Sequence, residues 1–207
     1  MGLLDTAQRG IRREFLYMTM IVVPVAHDLR ARVEAFIRQV YEQHHQATIT
    51  QFPPLLLALL DSHGKIQCAS GLRFSEGGFF SECYLDTPIE TLLEDRSGRR
   101  VARENIFEVT SLASIAPGAA LQFLRRIVMY GEFAGFSWAF FTATDRLRLL
   151  LNRIELPLVQ LGPAPRWRVE GPASWGTYYS NDPHVCAVDR NAAALFLSQF
   201  QERTAHA

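Results

Sequence analysis

Between Ile106 and Thr144 the chain passes through an apolar segment (IFEVTSLAS), a small-residue turn (IAPGAA), an amphipathic stretch (LQFLRRIVMYGEFAG) and a second apolar segment (FSWAFFTAT). Strand, turn, helix and strand in that order constrain the architecture more than any other part of the sequence. A strand delivered into a helix start through small residues builds a site for an anion, because the first N–H groups have no intrahelical partner and the peptide dipoles favour negative charge there. Gly118, Ala119 and Ala120 offer little side chain to block a phosphate, and Pro117 shapes the turn. Ser114, Ile115, Ala116, Gly118, Ala119 and Ala120 are therefore the candidate cradle. One carboxylate, Glu108, interrupts the first apolar segment. A phosphate cradle beside a half-buried acid suggests transfer of a group carried on a phosphorylated cofactor.

The rest of the composition narrows the class. Lys plus Arg equals Asp plus Glu at 21 each, so no basic surface points to nucleic acid. With 207 residues, 48% of them hydrophobic, the expectation is one domain over residues 1–207 with a sizeable core. Cys68, Cys83 and Cys186 show no paired spacing, which suits a reducing compartment with neither disulfides nor zinc. Apolar runs such as YMTMIVVPVA are too short and Pro-interrupted to span a bilayer. Asp5 and Glu14 precede any apolar core, so no signal peptide is read and a cytoplasmic location is expected.

Along the chain, residues 15–25 read as a first strand and residues 27–47 as an amphipathic helix carrying Leu29, Val33, Phe36, Ile37, Val40 and Tyr41 at helical spacing. Leu55–Leu60 and Ile66–Phe74 read as an antiparallel pair around the turn Asp61–Gly64, and Phe79–Leu85 as a further extended segment. Thr87 and Pro88 open a short helix (IETLLED). Asp145 is expected to cap a helix (RLRLLLNRI). Leu158–Leu161, Ser174–Tyr179 and His184–Val188 are expected strands, and Asn191–Gln201 a terminal helix. Strands interspersed with helices on a mixed sheet imply an α/β (α+β) sandwich. The order β-α-β-β-β-α-β-α-β-β resembles that of the Gcn5-related N-acyltransferase (GNAT) fold, which implies a mixed, mainly antiparallel central sheet flanked by helices on both faces.

Several segments resemble the bacterial thermostable haemolysin family, itself similar to acyl-homoserine-lactone synthases within that acyltransferase superfamily. They are Glu34–Ile37 with Tyr41, Phe52 with Pro54–Leu59, Gly71–Arg73, Glu82 with Tyr84–Asp86, and Pro88–Glu90. Glu108, Val109, Leu112–Ser114 and Gly118 follow, then Trp138, Phe141–Thr144, Leu147, Arg148, Trp175, Gly176, Tyr178 and Tyr179. Where the family often has EVGNLAS, this chain has Thr110 and Ser111. The resemblance implies an acyltransferase-like scaffold. Its donor would be a thioester on coenzyme A or on the phosphopantetheine of an acyl carrier protein, not a tightly bound cofactor, with the pantetheine arm beside the Glu108 strand. The acceptor would be the amine of a small molecule such as an amino acid derivative.

Forming an amide from a thioester requires somewhere for the amine proton to go. Glu108 is the first candidate for that general base and Glu82 the second, since burial can raise a carboxyl toward neutrality. A structural ion pair of Glu108 with Arg73 or Arg103 is the competing reading. Arg73 and Arg148 could hold a carboxylate or phosphate in a planar two-pronged contact. Asp86, Ser111 and Thr142 complete the substrate candidates, with Tyr178 as an inward hydroxyl. His44, His45, His63 and His184 lack ligand spacing with a third group, so no metal is expected. Two other readings stand beside the transferase: an acyl-thioester-binding module without turnover, and a membrane-active haemolysin. No stable membrane insertion is expected, because no exposed amphipathic hairpin or spanning segment is visible.

Overall fold

The computed structural model describes residues 18–195 and 198. Seven strands form one sheet: β1 (Thr19–Val23), β2 (Leu55–Leu60), β3 (Ile66–Phe74), β4 (Ile106–Ser114), β5 (Trp138–Ala143), β6 (Val159–Pro163) and β7 (His184–Asp189). Their order across the sheet is β1-β2-β3-β4-β5-β7-β6. Every neighbouring pair is antiparallel except β4 and β5. That one parallel pair follows from the strand–helix–strand unit, because a crossover helix returns the chain to the same end of the sheet.

Four of the helices among the described residues cover the two faces: α1 (Arg30–His45), α2 (Ile89–Ser97), α3 (Pro117–Phe133) and α4 (Asp145–Arg153). On α1, Val33, Ile37, Val40 and Tyr41 recur on one stripe and are buried. They pack on Leu56, Ala58, Ala69 and Ala113. On the same face Ile89 and Leu93 of α2 cover Ile106, Trp138, Phe140, Val185 and Ala187. The opposite face takes α3, whose Ala119, Phe123 and Ile127 meet Leu57, Leu59, Cys68, Leu72, Phe107 and Val109. Beside it, Leu151 of α4 joins Val188 and Phe141. Each fully buried Leu or Phe stabilises by about 1.5–3 kcal/mol relative to exposure, so this two-sided burial carries the fold.

The alternation of β4 is reset partway along. Ala69 pairs with Ala113 and Gly71 with Thr110, so Ser70 alone faces Ser111 and Leu112. Ser111 takes the left-handed conformation, φ 51°, the local twist of a β-bulge. Before the bulge, even-numbered residues face α1 and α2. After it Ala113 does, while Leu112 packs with the α3 side.

Three local expectations need correction. Phe79–Leu85 is not extended: Ser81–Tyr84 is a single 3-10 turn, drawn in because the Glu108 carboxylate takes the N–H groups of Phe80 and Ser81. Ser174–Tyr179 is not a strand, since Pro172–Trp175 and Tyr178–Asn181 are both 3-10 turns. Positive φ at Gly171 and Gly176 breaks any ladder there. The α4 cap is Thr144, whose hydroxyl accepts the Leu147 N–H at 3.4 Å, and Asp145 is the first helical residue. The expected strand over residues 15–25 is seen at 19–23, with Met18, Pro24 and Val25 outside it, and of the expected terminal helix residues 191–195 and 198 are helical. Residues 15–17, 196–197 and 199–201, with Asp5 and Glu14, lie outside the described residues.

Candidate active site

Hydrogen bonding between β4 and β5 runs only from Ile106–Trp138 to Val109–Phe141. Beyond that point β4 continues as Thr110–Ser114 with no partner on its β5 side, and the sheet opens into a slit at its centre. A cleft of about 1130 Å³ passes through the slit. Its walls include the end of α1, the Phe79–Tyr84 segment, Thr110–Ala116, the start of α3, the α4 face and the 174–178 segment. This is large enough for a drug-sized ligand with room to spare.

At one end stands the expected phosphate cradle. Ser114, Ile115, Ala116 and Ala120 line the cleft. Three N–H groups there are engaged: Ile115 donates to Gln67 O (3.2 Å), Ala116 to Ser114 Oγ (3.3 Å) and Ala120 to Ala116 O (3.0 Å). Within the helix those of Gly118 and Ala119 have no carbonyl four residues back, and no acidic side chain occupies the first turn. The donor set is narrower than the run Ile115–Ala120.

At the other end the polar groups are mostly aimed at one another, with three exceptions. Arg73 Nε, Thr110 Oγ1 and His45 Nδ1 are buried without a hydrogen-bond partner, and all three residues line the cleft. Buried polar groups in folded proteins are normally paired, so three orphans around one cavity mark where a polar ligand would bind. Nearby, Tyr41, Phe80, Trp175 and Tyr178 add aromatic surface. His45, Thr110 and Trp175 were missed as site residues by sequence reasoning. No spacing rule marks them, because their segments meet only in three dimensions.

Glu108 is fully buried and does not line the cleft. Its oxygens accept the N–H groups of Phe80 (2.6 Å) and Ser81 (2.8 Å), and Arg73 is its register partner across β3–β4. Burial pushes its carboxyl above the usual range, opposed by the Ser81 and Phe80 hydrogen bonds and by the Arg73 charge. Through Ser81 the group reaches the slit, for Ser81 Oγ and Thr142 Oγ1 lie 2.8 Å apart. Thr142 and Ser111 both line the cleft, as does Tyr178, whose hydroxyl donates to Thr142 O at 3.5 Å.

Besides Glu108, Gly118 and Ala119, which are not on the cleft wall, three candidates lie elsewhere. Glu82 is not on the cleft wall: Arg103 clasps both its oxygens at 2.6 Å and the Ile89 N–H bonds one of them at 3.1 Å. Burial alone would raise its carboxyl, but Arg103 and the Ile89 N–H hold it below the ordinary 4.5. A carboxylate so held is a poor proton acceptor. Asp86 is exposed and pairs with Arg168. Arg148 points away from the cleft and staples α4 to the start of β7, bonding Ala143 O, Asp182 O and Asp182 Oδ2, and lying 2.7 Å from His184 Nδ1. A clasped carboxylate stabilises the fold above its unfolded value and loses that contribution as pH falls through the lower folded one. Glu82→Gln is therefore expected to be less stable than wild type at pH 7, with the gap closing as the pH is lowered through the acid range. Urea denaturation across that range checks this, and a gap independent of pH refutes it.

The sequence profile of the thermostable hemolysins matches residues 23–194. The chain belongs to that family. Among curated proteins none matches. Solved structures of similar shape include FeeM, an N-acyl amino acid synthase from uncultured soil microbes, at 13% identity and TM-score 0.54 over 84% of this chain and 93% of that one. LasI, an AHL synthase, aligns at 10% identity and TM-score 0.55 over 84% and 90%. BjaI, a CoA-dependent acyl-homoserine lactone synthase solved with SAM and isopentyl-CoA, aligns at 12% identity and TM-score 0.55 over 88% of each chain. This family member therefore has the mixed-sheet fold of GNAT-like acyl-transfer proteins. Among the described residues no helix is long and apolar enough to cross a membrane, and no cluster of three His, Cys, Asp or Glu could hold a metal ion.

Proposed function

We propose that this protein is an N-acyltransferase that moves an acyl group from a thioester of coenzyme A or of an acyl carrier protein to a small-molecule amine. The observation that carries the reading is the slit: one cleft joins an uncapped helix start to a cluster of orphaned polar groups, through a gap where β4 lacks a partner. In this reading the pantetheine arm lies along Thr110–Ser114, where free backbone groups can bond its amides. The donor phosphate meets the Gly118 and Ala119 N–H groups. Arg73 and Thr110 hold the acceptor, with the planar guanidinium suited to a carboxylate. Glu108 stands behind the wall, fixing Phe80 and Ser81 and balancing Arg73. The amine nitrogen bonds to the thioester carbon, the C–S bond breaks, and the thiol leaves carrying a proton.

Incubation with acyl-CoA or an acyl carrier protein and an amine pool, followed by mass spectrometry, tests the reading. Acylated amine supports it, and intact thioester in every mixture refutes it. The withdrawal of Glu108 from the cleft favours one second reading, a module that binds acyl thioesters without turning them over. Saturable binding with no product would select it. For either reading Gly118→Glu is expected to weaken donor affinity at least tenfold, since it places bulk and negative charge at the helix start. Calorimetry on the folded variant decides, and unchanged affinity removes the cradle.

A further inference from the structure

Acyl transfer to an amine needs a proton acceptor open to the cleft, and Glu108 is not. The imidazoles and carboxylates that line the cleft are His44, His45, Glu132 and Glu170. His44 and Glu170 are exposed. Glu132 lies in the last turn of α3, at the end of the sheet away from the slit. Tyr41, Tyr178 and Cys83 are excluded because burial pushes each well above neutrality, Cys83 to about 11.

His45 remains, and its setting is built. It ends α1, and its carbonyl is clamped by the Thr177 N–H (2.7 Å) and hydroxyl (3.1 Å). Its ring sits edge-on to Tyr178 at 5.2 Å and tilted against Tyr41 at 5.7 Å. Tyr178 in turn donates to Thr142 O, just past the last β4–β5 pair. The imidazole is thus held one ring away from the slit, with Nδ1 buried and unpartnered, which leaves Nε2 as the ring nitrogen that can meet a ligand.

We propose that His45 is the catalytic residue that takes the proton from the attacking amine. As the nitrogen–carbon bond forms and the C–S bond breaks, the imidazole removes the amine proton and returns it to the departing thiolate. The charged neighbours agree with a neutral ring at the start. Burial first, then His44 on its own helix and Arg146 from α4, lower its pKa, while the rings packed on it, Tyr41 and Tyr178, stay uncharged. A neutral imidazole is the form a base requires.

The inference rests on the acyl-transfer reading, and two measurements keep them separable. In the first, thiol release from acyl-CoA is followed against pH for wild type, His45→Gln and His45→Phe, the last preserving the ring packing. Wild-type kcat/KM should fall on the acid side as the imidazole charges. Both variants should lose about a hundredfold at pH 7, lose that acid limb and keep wild-type affinity for the donor. Variants within threefold of wild type, or with the acid limb intact, overturn the proposal. In the second, the His45 imidazole resonances are followed by NMR on addition of a non-hydrolysable acyl-CoA thioether. They should shift, and unmoved resonances overturn the assignment whether or not the protein turns over. Shifted resonances in a protein that acylates no amine also end the base role, placing His45 beside the acyl group of a binding module.

Discussion

Glu108→Gln is expected to lower acyl transfer by about a hundredfold or more and to destabilise the fold, with no recovery at alkaline pH. The carboxylate offers an acceptor to each of two backbone N–H groups, at 2.6 and 2.8 Å. An amide has one carbonyl, so its NH₂ must confront the second donor. Leaving a buried donor unpaired costs about 1–3 kcal/mol, roughly 2–12 °C of melting temperature for a chain of this size. The damage then passes to the slit. Phe80 and Ser81 lose their anchor, Ser81 shifts against Thr142, and Arg73 loses the charge opposite it. Displacements of about 1 Å at a reacting centre can cost a hundredfold in rate. Because Glu108 lies outside the cleft wall, raising the pH replaces nothing the variant lacks. Turnover restored in alkali would return the proton-accepting role to Glu108, as the sequence alone suggested.

The second large effect falls on stability. Gly176→Ala should cost about 3 kcal/mol or more, and thermal unfolding should fall by roughly 6–12 °C. A Cβ built there lies 2.1 Å from His45 O and 2.5 Å from Gln46 O. Both are backbone atoms and cannot rotate aside. The residue also has φ 50° with ψ −122°, a region costly for any side chain, by about 1–3 kcal/mol. Gly64→Ala is the control, with φ 72° and open space around its Cβ position, so it carries strain without collision. Equal melting temperatures for the two variants would show that the clamp on the end of α1 yields at little cost.

Much of the architecture was legible because it rests on local signals. β2 and β3 were read to the residue, and Asp61 marked the turn between them, its carboxylate accepting the His63 and Lys65 N–H groups at 2.9 Å. The Ile106–Thr144 unit was legible for the same reason. The errors have a common physical source. Phe79–Leu85 and Ser174–Tyr179 carry aromatic, strand-like composition, yet their shape is dictated by groups far away in sequence, Glu108 in one case and His45 in the other. Period-two alternation puts Glu108 on the opposite face from Phe107 and Val109, but does not carry past Ser111, where the bulge inverts the count. Of the cleft wall, Arg73 and the small residues Ser114, Ala116 and Ala120 around the start of α3 were legible in the sequence. Glu82 and Arg148 were misjudged as site residues because nothing local reveals that Arg103 and Asp182 engage them.

The opening between β4 and β5 has a consequence for the mechanics of the molecule. Four strands lie on one side of it and three on the other, joined across the middle by four register pairs at one end. The sheet is in effect two fabrics sewn along half a seam. An extended, amide-bearing molecule laid in the open half supplies the stitches that a further length of β5 would otherwise make. Occupancy and the rigidity of the whole sheet then rise together, and any ligand that fits the seam acts, while it stays, as a temporary eighth strand.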